Sequence, residues 1–242
     1  MSARPGWVIG VLLVTACSST TVAHAPVTPT GTNPTTPSTM TTTSPPIAAS
    51  PQTFVGTVAP IDAATARRMT GVSWRPGCPV NLDGLRLLHL SFRGFDGSLH
   101  TGELVVAQRW AEPVVGVFRA LFDVGFPVER MALVDDFGAS DDASTLANNT
   151  SAFNCRPVTG GSGWSRHTYG TAIDLDPRQN PYVYPDGHVL DPAAEPYRDR
   201  SSRAPGVIHE GDAVYRAFTS IGWRWGGHFA VTPDPQHFDV SP

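Results

Sequence analysis

Two short segments of the chain contain residues that could bind a metal ion and activate water. In the first segment, His167 and Asp174 lie on either side of a stretch that contains small residues. In the second, Asp234 and His237 form a D-x-x-H unit. Imidazole and carboxylate groups are suitable zinc ligands. Together the segments offer two histidines and one aspartate for a metal, a fourth position for water, and a separate carboxylate to take the proton of that water.

The elements that position these residues can be predicted from turn signals and hydrophobic periodicity. Residues 172–175 are strand-like, and Gly170 lets the backbone pass close to a ligand cluster. Strands and helices are interspersed without regular βαβ spacing, which favours an α+β fold with an antiparallel sheet flanked by helices. The predicted strands are 85–95, 101–108 and 131–134, with a hairpin turn at Asp96-Gly97, and the predicted helices are 61–69, 112–124 and 209–221.

Composition limits the classes of partner. The chain has 242 residues, of which 40% are hydrophobic, and this is enough for a core. All 17 basic residues are Arg, and the formal net charge is −4. A nucleic-acid binder normally presents a cationic face to the phosphates, so we expect no nucleic-acid partner. The acidic residues are in excess only in the C-terminal half, where metal chemistry is expected.

The N-terminus resembles an export signal followed by a tether. Residues 1–17 contain one Arg and a short apolar stretch, which is typical of a signal peptide. The ending V-T-A-C resembles a bacterial lipobox, which implies a lipid anchor on Cys17; an ordinary signal peptide with an incidental Cys is the alternative. Residues 18–53 are rich in Thr, Pro and Ser and are predicted to be a disordered tether, either glycosylated or plain. The folded domain is predicted at 54–242.

The two remaining cysteines form an even pair in a chain that is expected to reach an oxidising compartment. A disulfide between Cys78 and Cys155 is therefore the simplest assignment. The alternative, that either cysteine is a nucleophile or a zinc ligand, needs a partner motif such as C-x-x-C or a Cys/His pair. Neither motif is present in the sequence.

The two chemical segments resemble a known family. S-x-H-x-x-G-x-A-x-D over 165–174, followed by W-G-G at 225–227 and D-x-x-H-F at 234–238, is similar to the zinc D-alanyl-D-alanine carboxypeptidases and L-alanyl-D-glutamate endopeptidases. These bacterial cell-wall peptidases have a metal site similar to that of lysostaphin and the Hedgehog amino-terminal domain. Residues 135–144 and 148–156 resemble the segments that build the substrate wall. The resemblance implies a Hedgehog/D,D-peptidase-like fold.

The resemblance also implies roles for individual residues. His167, Asp174 and His237 would be the ligands of one zinc ion per domain, and Asp234 would be the general base. Asp234 would deprotonate a zinc-bound water as it attacks a peptide carbonyl, then pass the proton to the leaving amine. The dipeptidase branch of the family has Glu at this place, so Asp is like the endopeptidase and carboxypeptidase branch.

The resemblance also suggests roles for three further residues. Ser165 would hydrogen-bond the substrate or support the metal ligands, and Trp225 would border the cleft and bind substrate or pack in the core. The Arg with which the family stabilises the transition state or binds a carboxylate comes from an upstream segment that here reads Phe137-Gly138, without Arg. Arg156, from the neighbouring wall, is the residue that could replace it, or it could pair with surface acids.

The function that follows is that of an exported, lipid-anchored zinc peptidase of the cell envelope. Its partners would be peptidoglycan stem peptides and, through Cys17, the membrane. Both the D-Ala-D-Ala bond and the L-Ala-D-Glu bond are candidates for cleavage. The alternative from another class is a non-catalytic, zinc-containing wall-binding module. The presence of Asp234 favours the enzyme, because a binding module needs no base beside its metal.

Overall fold

The computed structural model describes residues 53–158, 161 and 163–242. The predicted signal peptide, including Cys17, and all but the last residue of the predicted tether lie outside the described residues. In the described part, the chain is a mixed α+β structure, as expected, with short strands and few helices. No helix within that part is long and apolar enough to cross a membrane.

The largest sheet has three antiparallel strands in the order β1-β2-β3. They are β1 (Gly56–Pro60), β2 (Leu85–Arg93) and β3 (Leu99–Ala107). Gly97 adopts φ +75° in the predicted hairpin turn, a conformation that favours glycine. The sheet therefore confirms the antiparallel hairpin that the sequence predicts, although β2 ends two residues earlier than expected and β3 begins two residues earlier.

Two smaller sheets complete the strand inventory of the described residues. One pairs β4 (Arg130–Met131) with β5 (Asn149–Thr150) in parallel, and the other has the antiparallel order β6-β8-β7. Its strands are β6 (Ala172–Asp174), β7 (Arg224–Trp225) and β8 (His237–Asp239). The prediction of a single antiparallel sheet is thus corrected to three separate small sheets.

Helix α2 is the helix that packs on the large sheet and on a second α-helix. The α-helices are α1 (Ala63–Met69), α2 (Ala111–Asp123), α3 (Asp141–Leu146) and α4 (Ala213–Ser220). Helix α2 contacts both β2 and α4, and its apolar stripe is buried in the main core. The 3-10 helices are Leu82–Gly84, Gln108–Trp110, Val134–Phe137, Arg166–Tyr169, Pro192–Tyr197 and Gly226–His228.

Two predicted elements differ from the structure. Helix α4 begins at Ala213 rather than at residue 209, because the Asp212 carboxylate caps it by accepting a hydrogen bond from Tyr215 N. The short strand predicted at 131–134 ends at Met131, and a 3-10 helix begins at Val134.

The sheet that contains β8 is anchored on the main core. Phe238 is fully buried and stacks on Phe218 of α4, with ring centroids 4.0 Å apart. Because side chains alternate along a strand, the buried Phe238 directs His237 and Asp239 to the opposite face. The packing of Phe238 thus determines the side of β8 on which His237 and Asp239 lie.

Candidate metal centre

His167 is held by a serine side chain at its backbone and by a backbone carbonyl at its ring. Ser165 caps the short 3-10 helix, and its Oγ accepts a hydrogen bond from His167 N at 3.3 Å. The ring atom Nδ1 of His167 lies 2.5 Å from the carbonyl oxygen of Ala152. A carbonyl only accepts, so Nδ1 carries the proton and Nε2 is left with a lone pair for a metal.

Asp174 and His237 are brought together by strand pairing. They are direct partners in the antiparallel pairing of β6 with β8. His237 Nδ1 lies 2.7 Å from Asp174 Oδ1, and His167 Nε2 lies 3.1 Å from Asp174 Oδ2. The two imidazoles approach to 3.3 Å between His167 Nε2 and His237 Nδ1. All three side chains are buried.

The geometry of this cluster suits a zinc ion. Its three ligand atoms lie within 4.8 Å of one another, and it is the one such group found among the described residues. Tetrahedral zinc with bonds of about 2.0–2.1 Å separates its ligand atoms by roughly 3.3 Å. The distances of 2.7 to 3.3 Å between the paired atoms are close to that value. The donor set, two imidazoles and one carboxylate, also matches zinc chemistry.

The electrostatics of His237 and Asp174 likewise favour a cation between them. Burial alone would lower the pKa of His237, but the charge of Asp174 and its hydrogen bond, with Asp239 and Asp234, raise it to about 10. Burial would raise the pKa of Asp174, but the two histidines lower it far below its usual range. In the metal-free protein His237 is therefore protonated and paired with Asp174, so a metal that binds here must displace this proton.

Asp234 lies in the turn that leads into β8. Its backbone N donates to Gly226 O at 2.8 Å, and its own carbonyl accepts from His237 N at 3.1 Å. Asp234 lines the same cleft as the three ligands, and its Oδ1 is buried without a hydrogen-bond partner among the described residues. Burial and the nearby charge of Asp174 raise its pKa, while His237 opposes the rise. A carboxylate with a raised pKa and an unpaired oxygen is suited to accept and return a proton.

The W-G-G segment supports that turn from behind. Trp225 is buried, and its indole Nε1 donates to Pro235 O at 2.8 Å. Trp225 is not among the residues that line the cleft, so the structure places it beneath the turn rather than against substrate. A Cβ on Gly226 would lie 2.5 Å from Asp234 O and 3.0 Å from His237 Cβ. Only glycine fits here without moving the turn.

The cleft above the ligands has a volume of about 720 Å³, and Ser165 and Arg156 are part of its lining. Arg156 forms an ion pair with Asp141, with Nη2 2.8 Å from Oδ2. The structure thus brings both predicted residues to the cleft wall. Their roles toward substrate stay predictions, and Ser165 has the additional role of a helix cap.

The disulfide predicted between Cys78 and Cys155 is present in the structure, across a sequence separation of 77 residues. Cys155 lies between two residues whose carbonyls contact the 3-10 helix of His167. Thr168 of that helix donates from Oγ1 to Asn154 O and Arg156 O, at 3.2 and 2.8 Å. Arg75 also donates from Nη1 to Cys155 O, at 2.9 Å. The disulfide therefore ties the wall of the cleft to the N-terminal part of the domain.

Asp239 is a residue of the site that sequence reasoning missed. Its side chain is 2% exposed, and Oδ2 lies 3.6 Å from His237 Nε2. Burial would raise its pKa, but His237 and Arg224 lower it well below its usual range, so the group is a carboxylate. The signal was the alternation in H-F-D, because positions 237 and 239 of a strand share one face.

Comparison with protein-family models gives one match. Residues 159–240 match the family described as D-alanyl-D-alanine carboxypeptidase. This match confirms the family resemblance. The matched segment contains the three candidate metal ligands, Asp234 and the W-G-G motif, whereas the resemblance of the upstream wall segments lies outside it. No curated protein and no solved structure matches the chain significantly. The match to this zinc-dependent peptidase family supports a metallopeptidase.

Proposed function

We propose that this chain is an exported, lipid-anchored zinc peptidase that hydrolyses peptidoglycan stem peptides. One observation carries the proposal: three metal-ligand side chains converge in the same cleft as Asp234, a carboxylate with an unpaired oxygen. The family match supports the substrate class. A module that only bound the cell wall would need the metal cluster but would gain nothing from a base next to it.

His167, Asp174 and His237 would hold the zinc ion. When bound, zinc supplies a Lewis acid that activates water and polarises the scissile carbonyl. Asp234 takes a proton from the attacking water and returns it to the leaving nitrogen, so that the amine departs uncharged. Ala152 O holds the His167 ring through Nδ1. Asp239 lies against the face of His237 that is turned away from the ligand cluster.

The finer parts of the proposal concern fold, location and bond. We propose the Hedgehog/D,D-peptidase-like fold on the strength of the motif pattern, and a membrane anchor on Cys17 followed by a tether over residues 18–53. Both the D-Ala-D-Ala bond and the L-Ala-D-Glu bond remain candidates. Incorporation of labelled palmitate into the wild-type protein, but not into Cys17→Ala, would support the anchor, and equal labelling of the two would exclude it.

The activity is tested by incubating the exported domain with purified muropeptides and identifying the products by mass spectrometry. We expect cleavage that stops when a chelator is added and returns with zinc. Loss of one alanine identifies a carboxypeptidase, whereas loss of the stem beyond the first alanine identifies an endopeptidase. His167→Ala is the metal-free control. Intact muropeptides that remain bound to a zinc-loaded protein would instead identify a wall-binding module.

A further inference from the structure

The chain segment 151–156 contacts two of the three candidate metal ligands. Ser151 and Asp174 exchange backbone hydrogen bonds, with N to O distances of 3.0 and 2.9 Å. The next residue, Ala152, holds the His167 ring through its carbonyl oxygen. Both contacts are made by main-chain atoms of the segment. The positions of Asp174 and His167 therefore depend on where the backbone of this segment lies.

The 151–156 segment is attached to the rest of the domain at two points. Phe153 N donates to Val105 O of β3 at 3.0 Å, which ties the segment to the large sheet. Cys155 is bonded to Cys78, and its backbone N donates to Ser73 O at 2.9 Å. The loop that carries Ser73 and Cys78 follows α1 and contains no named helix or strand. The first attachment is thus to a regular sheet, and the second is to an irregular loop.

The disulfide is the covalent part of the second attachment. Two hydrogen bonds accompany it, one from Cys155 N to Ser73 O and one from Arg75 Nη1 to Cys155 O, each at 2.9 Å. A hydrogen bond contributes little net free energy, because water competes for both partners. Loss of the disulfide would therefore leave the segment weakly attached to the loop, at a position three residues beyond Ala152.

The disulfide is open to exchange with small thiols at one of its two sulfurs. Cys78 is half-buried, whereas Cys155 is 2% exposed, so Cys78 is the more accessible partner. A thiolate that attacks the Cys78 sulfur releases Cys155 as a thiol, and a second thiol then releases Cys78. The protein gains two thiols, and the two small thiols leave as one disulfide.

We infer that the Cys78–Cys155 disulfide positions the metal ligands, so that the domain binds zinc tightly only in its oxidised form. This inference rests on the zinc site of the proposed function and adds control by redox state to it. In the reduced protein, His167 and Asp174 would be correctly placed for a smaller fraction of the time, and the apparent zinc affinity falls by that fraction. The site would reach its full affinity in an oxidising compartment, where disulfides form and persist.

Zinc affinity tests the inference without any need for a substrate. Chelator competition compares the oxidised wild type with the Cys78→Ala/Cys155→Ala variant, which can neither form the disulfide nor bind zinc through free thiols. We expect the variant to bind zinc about tenfold more weakly. Leu121→Ala is the matched control, because it destabilises the fold by removing a buried side chain of α2. Its zinc affinity should equal that of the wild type, and circular dichroism checks that each variant is folded.

Thermodynamic linkage supplies a second measurement, on the native chain. If oxidation strengthens zinc binding tenfold, zinc must stabilise the disulfide by the same factor, which corresponds to a shift of about 30 mV in its reduction potential. The shift is measured by equilibrating the protein in glutathione buffers, with and without free zinc, and counting alkylated cysteines by mass spectrometry. In His167→Ala, which lacks one of the ligands, zinc should leave the potential unchanged.

Three results would overturn the inference. They are wild-type zinc affinity in the folded double variant, a reduction potential that zinc does not change, and an equal loss of affinity in Leu121→Ala, which would show that the effect follows overall stability. If the double variant does not fold, the shift in potential decides the question. Zinc affinity that depends on the disulfide, without any hydrolysis of muropeptides, would leave the inference in place and remove the proposed peptidase activity.

Discussion

Asp174 and Asp234 are carboxylates in one cleft, yet their surroundings shift their pKa values in opposite directions. Asp174 contacts two histidines, which lower its pKa, whereas Asp234 has a buried oxygen without a partner and a raised pKa. A ligand must stay ionised, and a proton shuttle must be able to take up a proton. The environments of the two residues thus agree with the roles that the family pattern implies.

Asp234→Asn separates proton transfer from metal binding. Asn keeps the shape of the side chain but cannot act as a base, so we expect zinc content and muropeptide binding to be preserved while turnover falls by about 10²- to 10⁴-fold. Zinc should be measured on the same sample that is assayed. Loss of the metal would show that Asp234 supports His237 instead, and unchanged turnover would exclude the mechanism.

Zinc binding should displace a proton from His237. Asp174 and the other neighbouring carboxylates raise the pKa of His237 to about 10 in the metal-free protein, so at pH 6–8 the ring is protonated and must lose that proton to bind zinc. The apparent zinc affinity should therefore rise by about tenfold per pH unit over this range. Calorimetry in buffers of different ionisation enthalpy counts the protons released.

His228→Ala is the control for this experiment. His228 is about half exposed, pairs with Glu210 and lies outside the metal cluster, so its removal should leave the proton count unchanged. Zinc binding by the wild type without proton release would contradict the protonation state assigned to His237.

At the scale of secondary-structure elements, the site depends on close packing of Gly226 against the turn at Asp234 and the start of β8. Gly226→Ala would place a Cβ 2.5 Å from Asp234 O and 3.0 Å from His237 Cβ. The turn at Asp234 and the start of β8 at His237 must then shift, and we expect zinc affinity to fall by about 10- to 100-fold. Chelator competition measures the affinity.

Gly116→Ala is the matched substitution, because a Cβ on Gly116 meets nothing within 4 Å and the residue lies in the interior of α2. Alanine should leave zinc affinity unchanged and raise the free energy of unfolding by about 0.5–1 kcal/mol. If Gly226→Ala bound zinc as tightly as Gly116→Ala, the close packing of the turn would have no bearing on the metal.

Much of the secondary structure could be predicted from the sequence, because the signals for helices and strands are local. The apolar residues of the predicted helix 112–124 are buried in α2, and strand-like residues 172–175 include β6. The parallel pairing of β4 with β5 could not be predicted, because each strand has only two residues and no periodicity. The residues of the candidate site could be predicted where they belong to a sequence motif. The hydrogen bond between Ala152 O and the His167 ring could not be predicted, because a backbone carbonyl has no sequence signature.

At the scale of the whole molecule, the disulfide joins the N-terminal part of the domain to the cleft wall. Cross-linking residues 77 positions apart should stabilise the fold by about 4–5 kcal/mol on the chain-entropy model. We expect no free thiol at Cys78 or Cys155 in the folded protein. We also expect the Cys78→Ala/Cys155→Ala double variant to unfold at lower denaturant concentration. Mass spectrometry after alkylation and denaturant titration check both. Quantitative alkylation of the unreduced protein would contradict the pairing.

The hydrogen bond between the His167 ring and a backbone carbonyl has a consequence for mutational scanning of this chain. The atom that orients the imidazole belongs to the backbone of residue 152, so every amino acid placed there supplies the same acceptor. Substitutions at this buried position would register only through the size or polarity of the new side chain. A scan that ranks positions by loss of activity would thus overlook one of the contacts nearest to the metal. Replacing the amide that follows it with an ester weakens this carbonyl as an acceptor and also removes the Phe153 N–H that donates to Val105 O at 3.0 Å. The contact would be revealed by a change in the His167 ring that exceeds the effect of losing this second hydrogen bond.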